Sequence, residues 1–218
     1  MGHGGVVLVA AGGLARETLA ALRAGGHDEQ VVVLDDDAER WGGSLAGAPI
    51  VGGLEDVKRY DDHAVVVCAG RGSARRGLVH RLTELGVASD RYASVVHPLA
   101  SVPDHCSVGA GSILLAGVVL TADVALGSHV VAMPHVTFTH DDVVDDYVTF
   151  AAGVSLGGGV HVASGAYLGM NAAVLQGVVI GADATLGMGA VLRTDVPPGE
   201  TWAGVPARPL PNRHPGES

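Results

Sequence analysis

From Val102 onward, an apolar residue recurs at every sixth position: Val102, Val108, Leu114, Leu120, Leu126, Ala132, Phe138, Val144, Phe150, Leu156, Val162, Leu168, Val174, Ile180, Leu186 and Leu192. Every one is large except Ala132, and no insertion breaks the series. The residues two places earlier are small or β-branched: Cys106, Val118, Val124, Val130, Val136, Val148, Val154, Val160, Ala166, Ala172, Val178 and Ala184. Glycine often follows the repeating residue, as at Gly109, Gly127, Gly157, Gly169, Gly181 and Gly187. A six-residue period matches neither the 3.6 of a helix nor the two of an alternating strand. It fits a parallel β-helix with three flat sides of one hexapeptide each, repeating every ~18 residues. Residues from about 101 to 196 are therefore expected to form a left-handed parallel β-helix of roughly five coils. Flat outer faces of such a stack suit contact with further copies of the chain, so a homotrimer is expected.

The first 95 residues follow a different rule. Apolar runs at Val6–Ala10, Val31–Leu34 and Ala64–Cys68 read as strands. Helical stretches follow to about Ala24 and from about Ser73 to Leu85. Alternation of β and α implies a small parallel sheet covered by helices, with a ligand site at the carboxyl ends of its strands. That places Gly12, Gly13, Asp35, Asp36 and Gly70 along one rim. Glycines serving as turns and aspartates capping helices would give the same residues.

Composition narrows the function. With 48% apolar residues, only 4% aromatic residues and 33 glycines, the chain suits thin, tightly turned coils filled by aliphatic side chains. A formal charge of −10 with no Lys/Arg cluster argues against a nucleic-acid partner. No apolar run approaches the ~20 residues of a membrane span. The opening MGHGGVVLVAAGG has no basic n-region of a secretory signal. The two cysteines, Cys68 and Cys106, have no motif spacing and read as small buried hydrophobes. The expectation is a cytoplasmic protein.

Within the repeat, His129, His135 and His140 stand out. His140 lies in Thr-His-Asp-Asp, two places after Phe138, and its neighbours one coil away are Ala122 and Gly158, both small. A histidine with an adjacent carboxylate and open space suits a general base, imidazole being the side chain that ionises near neutral pH. A solvent-exposed turn histidine would look the same. Three histidines also raise a metal site like that of the γ-class carbonic anhydrases. There the third ligand would fall at Leu99 or Asp104, neither a histidine, so no metal is expected.

The segments AAGGLARE, DDDAERWGG followed by PIVGG, VVHPLASV, THDDVVDDYVTFAAGVSLGGGV and AGVPAR resemble the NeuD/PglD family of bacterial sugar O- and N-acetyltransferases. The resemblance implies a Rossmann-like α/β domain over residues 1–95 that binds a sugar nucleotide. It further implies an all-β, left-handed β-helix acyltransferase domain with a C-terminal tail over residues 96–218. It also implies homotrimers with acetyl-CoA in the groove between adjacent β-helices. The family's catalytic pair falls on His140 and Asp141, and its amide contact to the thioester oxygen on Gly158. Its pantetheine groove falls on Met170 and Met188, adaptable side chains that leave acyl groups other than acetyl open. Its sugar-nucleotide contacts fall on Gly12, Gly13, Asp35 and Asp36.

Departures from the family pattern are specific. Ala10 replaces the first glycine of the glycine-rich loop, and Leu14 replaces its histidine. Thr149 stands where some members carry a second histidine near acetyl-CoA, and Arg71 where an Asn is common. They touch mainly the acceptor's nucleotide part. The resulting reading is N-acetylation of a nucleotide-linked amino sugar with His140 as general base. O-acetylation of a sugar or other small hydroxyl compound, and a non-catalytic binding or scaffold protein, are the alternatives.

Overall fold

The computed structural model describes residues 4–27 and 30–211, so the first three residues and the tail from 212 to 218 lie outside the described residues. The N-terminal elements are β1 (Val6–Val9), α1 (Gly13–Ala24), β2 (Val31–Leu34), β3 (Ser44–Leu45), β4 (Ala48–Gly52), β5 (Ala64–Val67) and α2 (Gly72–Glu84). They form one sheet in the order β3-β4-β2-β1-β5, parallel throughout except for the β3–β4 hairpin. The nearly continuous valine runs of β1, β2 and β5 are buried, as central strands covered on both faces require. The three expected strands and both helices therefore form within a residue of where the sequence puts them.

The hairpin of β3 and β4 had no sequence reading. Its turn is Ala46-Gly47, with φ of 48° and 90°, a two-residue connection usually announced by Asn-Gly. Pro49 sits in β4, which pairs parallel with β2 on one side and with two-residue β3 on the other.

The loop after β1 holds Ala10 at φ 76°, a left-handed conformation that costs a residue with a Cβ roughly 1–2 kcal/mol. Ala10→Gly relieves that strain and loses about 0.4–1 kcal/mol to the freer unfolded chain. The substitution is expected to stabilise the protein by about 1 kcal/mol or less. A urea midpoint moving to lower concentration would contradict it.

From β6 (Val95–Val96) the chain winds into a three-sided parallel β-prism, in keeping with the left-handed β-helix. The first face stacks Val95–Val96, Ile113–Leu114, Val131–Ala132, Thr149–Phe150, Tyr167–Leu168, Thr185–Leu186 and Thr201–Gly204. The second face stacks Val119–Leu120, Thr137–Phe138, Ser155–Leu156, Ala173–Val174 and Val191–Leu192. The third stacks Ser107–Val108, Ala125–Leu126, Val143–Val144, His161–Val162 and Val179–Ile180. Partners such as Val131↔Thr149 and Ala125↔Val143 confirm the 18-residue coil. The sixth-position residues from Leu114 to Leu192 are all buried, and the side chains two places earlier fill the space between them.

The prism is longer than the repeat. Before Val102, Val95 already pairs with Ile113, so the expected boundary at residues 95 and 96 falls within a prism strand. After Leu192 the offset shortens, Thr185 pairing with Thr201 and Leu186 with Trp202, so the count by six ends although the ladder does not. The antiparallel strand Ala207–Pro209 then closes the edge, with Ala207 buried.

The N-terminal sheet and helices dock on the first face. Leu14, Leu19 and Val66 share one core with Ile113, Leu115 and Val131. Gly72 opens α2 where a Cβ would strike the Tyr147 carbonyl and Gly165. Arg75, fully buried, donates from Nε to the His129 carbonyl at 2.8 Å and from Nη1 to the Ala69 carbonyl at 2.6 Å. Its Nη2 donates to the Tyr147 carbonyl at 2.9 Å and to Thr149 Oγ1 at 3.1 Å. Burial lowers the guanidinium to about 10, still charged at neutral pH.

Candidate active site

His140 and Asp141 form the turn between Thr137–Phe138 and Val143–Val144, on the edge where the second face meets the third. Asp141 takes φ 63°, the left-handed conformation a short polar side chain tolerates. There its Oδ2 lies 2.8 Å from His140 Nδ1, leaving Nε2 free. Both side chains are about two-thirds exposed, at 69% and 68%. The imidazole lies directly over Gly158, where an added Cβ would overlap its Cε1 and Nε2. Below, Asp141 N–H donates to the Ala122 carbonyl at 3.0 Å. Among the described residues, the Gly158 N–H has no acceptor. The sequence-predicted residues His140, Asp141 and Gly158 thus lie together: an imidazole held by a carboxylate, against a glycine whose N–H has no acceptor among the described residues.

Gly158 has no left-handed φ, so Gly158→Ala puts its cost on the exposed imidazole rather than on the backbone. Turnover is expected to fall on the order of 10²-fold. Stability should change by no more than about 0.5 kcal/mol. Wild-type turnover in this variant would show that the ring position is unimportant.

Asp142 escaped the sequence reading, yet it sits within the same turn. It is fully buried at an inward position, in register with Val124 below and Val160 above. Its Oδ2 accepts from Thr139 N–H at 2.8 Å and its Oδ1 from Val160 N–H at 2.9 Å. The signal was present: in the series two places before each repeat residue, positions 112 and 142 are polar, Ser112 and Asp142.

Other expected residues lie elsewhere. Met170 and Met188, 48% and 72% exposed, occupy the edge between the first and second faces. Within one chain they do not meet His140. His129, His135 and His140 stand on three different edges. His129 is buried against Tyr92 and stacked on Tyr147, where burial first and the Arg75 charge second push its imidazole down to about 4. Among the described residues, no group of three or more His, Cys, Asp or Glu converges to hold a metal ion. Thr149, placed by the resemblance near the acyl donor, is buried on the first face and donates to the Gly70 carbonyl at 2.8 Å. The two cysteines are free, Cys68 buried and its thiol pushed up to about 12 by that burial.

At the carboxyl ends of β1 and β2, a cavity of about 190 Å³ is lined by Val9, Ala10, Asp35, Asp36, Leu54 and Leu78 among others. Asp35 accepts from Ala11 N–H at 2.6 Å and Asp37 N–H at 3.0 Å. Asp36 accepts from Leu54 N–H at 3.0 Å and from Arg81 at 2.6 Å, contacts that hold its carboxyl below the usual range. Gly12 and Gly13 open α1 with empty space where a Cβ would stand. Leu14 points into the core instead of onto this rim. The rim residues lie together, but on the N-terminal unit that covers the first face, whereas the His140 edge is opposite that face.

No family model and no curated protein sequence matches the chain. Solved structures do. The acetyltransferase domain of PglB from Neisseria gonorrhoeae, in complex with acetyl coenzyme A, is 29% identical, with 96% of this chain and 100% of that one covered and a TM-score of 0.88. A variant of perosamine N-acetyltransferase from Caulobacter crescentus, in complex with CoA and GDP-perosamine, is 30% identical, with 96% and 98% covered and a TM-score of 0.87. WeeI from Acinetobacter baumannii is 31% identical, with 94% and 99% covered and a TM-score of 0.85.

Proposed function

The chain belongs to the hexapeptide-repeat sugar N-acetyltransferases, and from that premise we propose that it transfers an acetyl group from acetyl-CoA to the amino group of a nucleotide-linked amino sugar. The observation that carries the reading is the His140–Asp141 pair, 2.8 Å apart with the imidazole over Gly158. The acceptor nitrogen attacks the thioester carbonyl carbon; a C–N bond forms and the C–S bond breaks. His140 Nε2 takes the proton of the attacking amine and returns it to the departing sulfur, giving an amide and free CoA thiol. Asp141 stabilises the imidazolium, and the Gly158 N–H receives the developing oxyanion.

In this reading the N-terminal α/β unit, which precedes the first prism strand at Val95–Val96, is a Rossmann-like acceptor domain, and the prism with its tail is the transferase domain. The N–H groups of Gly12 and Gly13, at the start of α1, suit the phosphates of the nucleotide. Asp35 and Asp36 line the cavity at the carboxyl ends of β1 and β2 and suit sugar or ribose hydroxyls. A groove holding both His140 and the pair Met170 and Met188 needs edges from two copies, which supports a homotrimer with acetyl-CoA between adjacent prisms. Among the described residues no helix is long and apolar enough to cross a membrane, and a cytoplasmic enzyme without a membrane partner is the reading we adopt.

The test is free-thiol release from acetyl-CoA with a panel of acceptors: nucleotide-linked amino sugars, their hydroxyl counterparts, and the amino sugars without nucleotide. Release with the first class is expected. Release only with hydroxyl acceptors would move the assignment to O-acetylation, and release with none would contradict the proposal.

A further inference from the structure

The backbone ladder of the second face breaks at one step. Thr137↔Val119 and Phe138↔Leu120 pair below it, and Ser155↔Ala173 and Leu156↔Val174 pair above it. Between those coils only Thr137↔Ser155 remains, and Phe138 and Leu156 do not pair with each other. The same step shows in the corner N–H groups. Thr121 N–H donates to the Phe138 carbonyl at 3.2 Å, Gly157 N–H to Val174 at 2.9 Å, and Leu175 N–H to Leu192 at 2.9 Å. The corresponding Thr139 N–H does not reach Leu156. It donates to Asp142 Oδ2 instead, and the Leu156 carbonyl accepts from Thr139 Oγ1 at 3.1 Å.

The interruption falls at the turn that carries His140. Asp142 and Thr139 together substitute for the missing rung, and the other oxygen of Asp142 takes Val160 N–H from the next coil. One buried carboxylate therefore ties the His140 turn to the turn containing Gly158. The neighbours in its column, Val124 and Val160, show what an inward position here holds when packing alone decides. A carboxylate in place of valine at a fully buried site is costly to keep, which points to a role other than packing.

We infer that Asp142 is a positioning residue for the acetyl transfer: with Thr139 it holds open the corner at which the His140 imidazole lies over Gly158. The inference rests on the proposed role of His140. Burial raises the Asp142 carboxyl to about 6, against the two N–H bonds that favour the anion, so at neutral pH it remains an acceptor for both. His140 and Asp141 are the ionisable groups that act on it through space.

Asp142→Val extends the valine column and lets Thr139 N–H return to the Leu156 carbonyl. A residue that merely supported the fold would lower the melting temperature when replaced. The expected result differs: an unchanged or raised melting temperature, kcat lower on the order of 10²-fold, and KM for acetyl-CoA within about threefold of wild type. Thr139 supplies a second, milder pair. Thr139→Ser keeps the hydroxyl and should keep kcat, whereas Thr139→Val should lower it by about tenfold. Wild-type kcat in Asp142→Val, or loss of kcat only in step with loss of stability, would overturn the inference. If Asp142→Val does not fold, equal kcat in the two Thr139 variants would overturn it. His140→Ala assayed alongside separates the two failures. Turnover without His140 would sink the proposed mechanism itself, while a dead His140→Ala beside an active Asp142→Val would sink only the positioning role.

Discussion

Replacing His140 with alanine is expected to lower kcat by about 10²–10⁴-fold, the usual contribution of a positioned general base. The physical basis is the free Nε2. Asp141 occupies Nδ1 at 2.8 Å, so only the other ring nitrogen is available to take the acceptor's proton. With alanine there, the proton must leave to water while the nitrogen attacks, and the titratable neighbours in the same turn are the carboxylates of Asp141 and buried Asp142. Because the His140 side chain is 69% exposed, its removal leaves no cavity and should shift stability by no more than about 0.5 kcal/mol. KM for acetyl-CoA should change little, since the imidazole acts on the acceptor's proton rather than on donor binding. Steady-state kinetics with both substrates varied checks the split. A variant whose KM rises while kcat holds would make His140 a binding residue instead of the base.

The second large effect lies far from that edge. Arg75→Ala is expected to destabilise the protein by about 3–5 kcal/mol, from the space left by a fully buried side chain and from the carbonyls left without donors. Those acceptors are the main-chain oxygens of Ala69, Gly70, His129, Tyr147 and Val148, drawn from both sides of the junction between the N-terminal sheet and the prism. For a chain of this size the melting temperature should drop by about 10 °C. Arg75→Lys keeps the charge but not the planar fork, so it cannot reach all of these oxygens and should recover only part of the loss. Thermal and urea denaturation of the three proteins checks the order. An alanine variant within about 1 kcal/mol of wild type would mean that the apolar contacts of Leu14, Ile113 and Val131 hold the junction alone.

The two sites differ in how visible they were from the sequence. The prism was legible because its rule is local and strict: an apolar residue at every sixth position fixes face, register and coil together. His140 and Gly158 came with it, since 18 residues apart means one coil apart. Asp142 was visible only as a polar gap in an apolar series, and its partners, the N–H groups of Thr139 and Val160, exist only once the coils are stacked. Arg75 had no signal. Its partners lie as far as Thr149 along the chain, and one of two adjacent arginines in a largely polar helix reads as surface. The burial of Thr149 was hidden for the same reason: its position in the repeat is clear, but what covers the first face depends on how residues 4–95 dock. Asp35 and Asp36 do follow β2 and line a cavity there, as the ends of the strands suggested. The hydrogen bonds that already engage both carboxylates were not foreseeable, nor was the strained Ala10.

Acetyl-CoA labelled with ¹³C at the acetyl carbonyl, incubated with the protein and a nucleotide-linked amino sugar that supports thiol release, can be followed by carbon NMR. The label should leave the thioester and appear as an amide on the sugar nitrogen, one acetyl for each thiol released, with none retained on the protein. Label that stays on the thioester, becomes an ester, or accumulates on the enzyme would contradict direct transfer to the amine at His140.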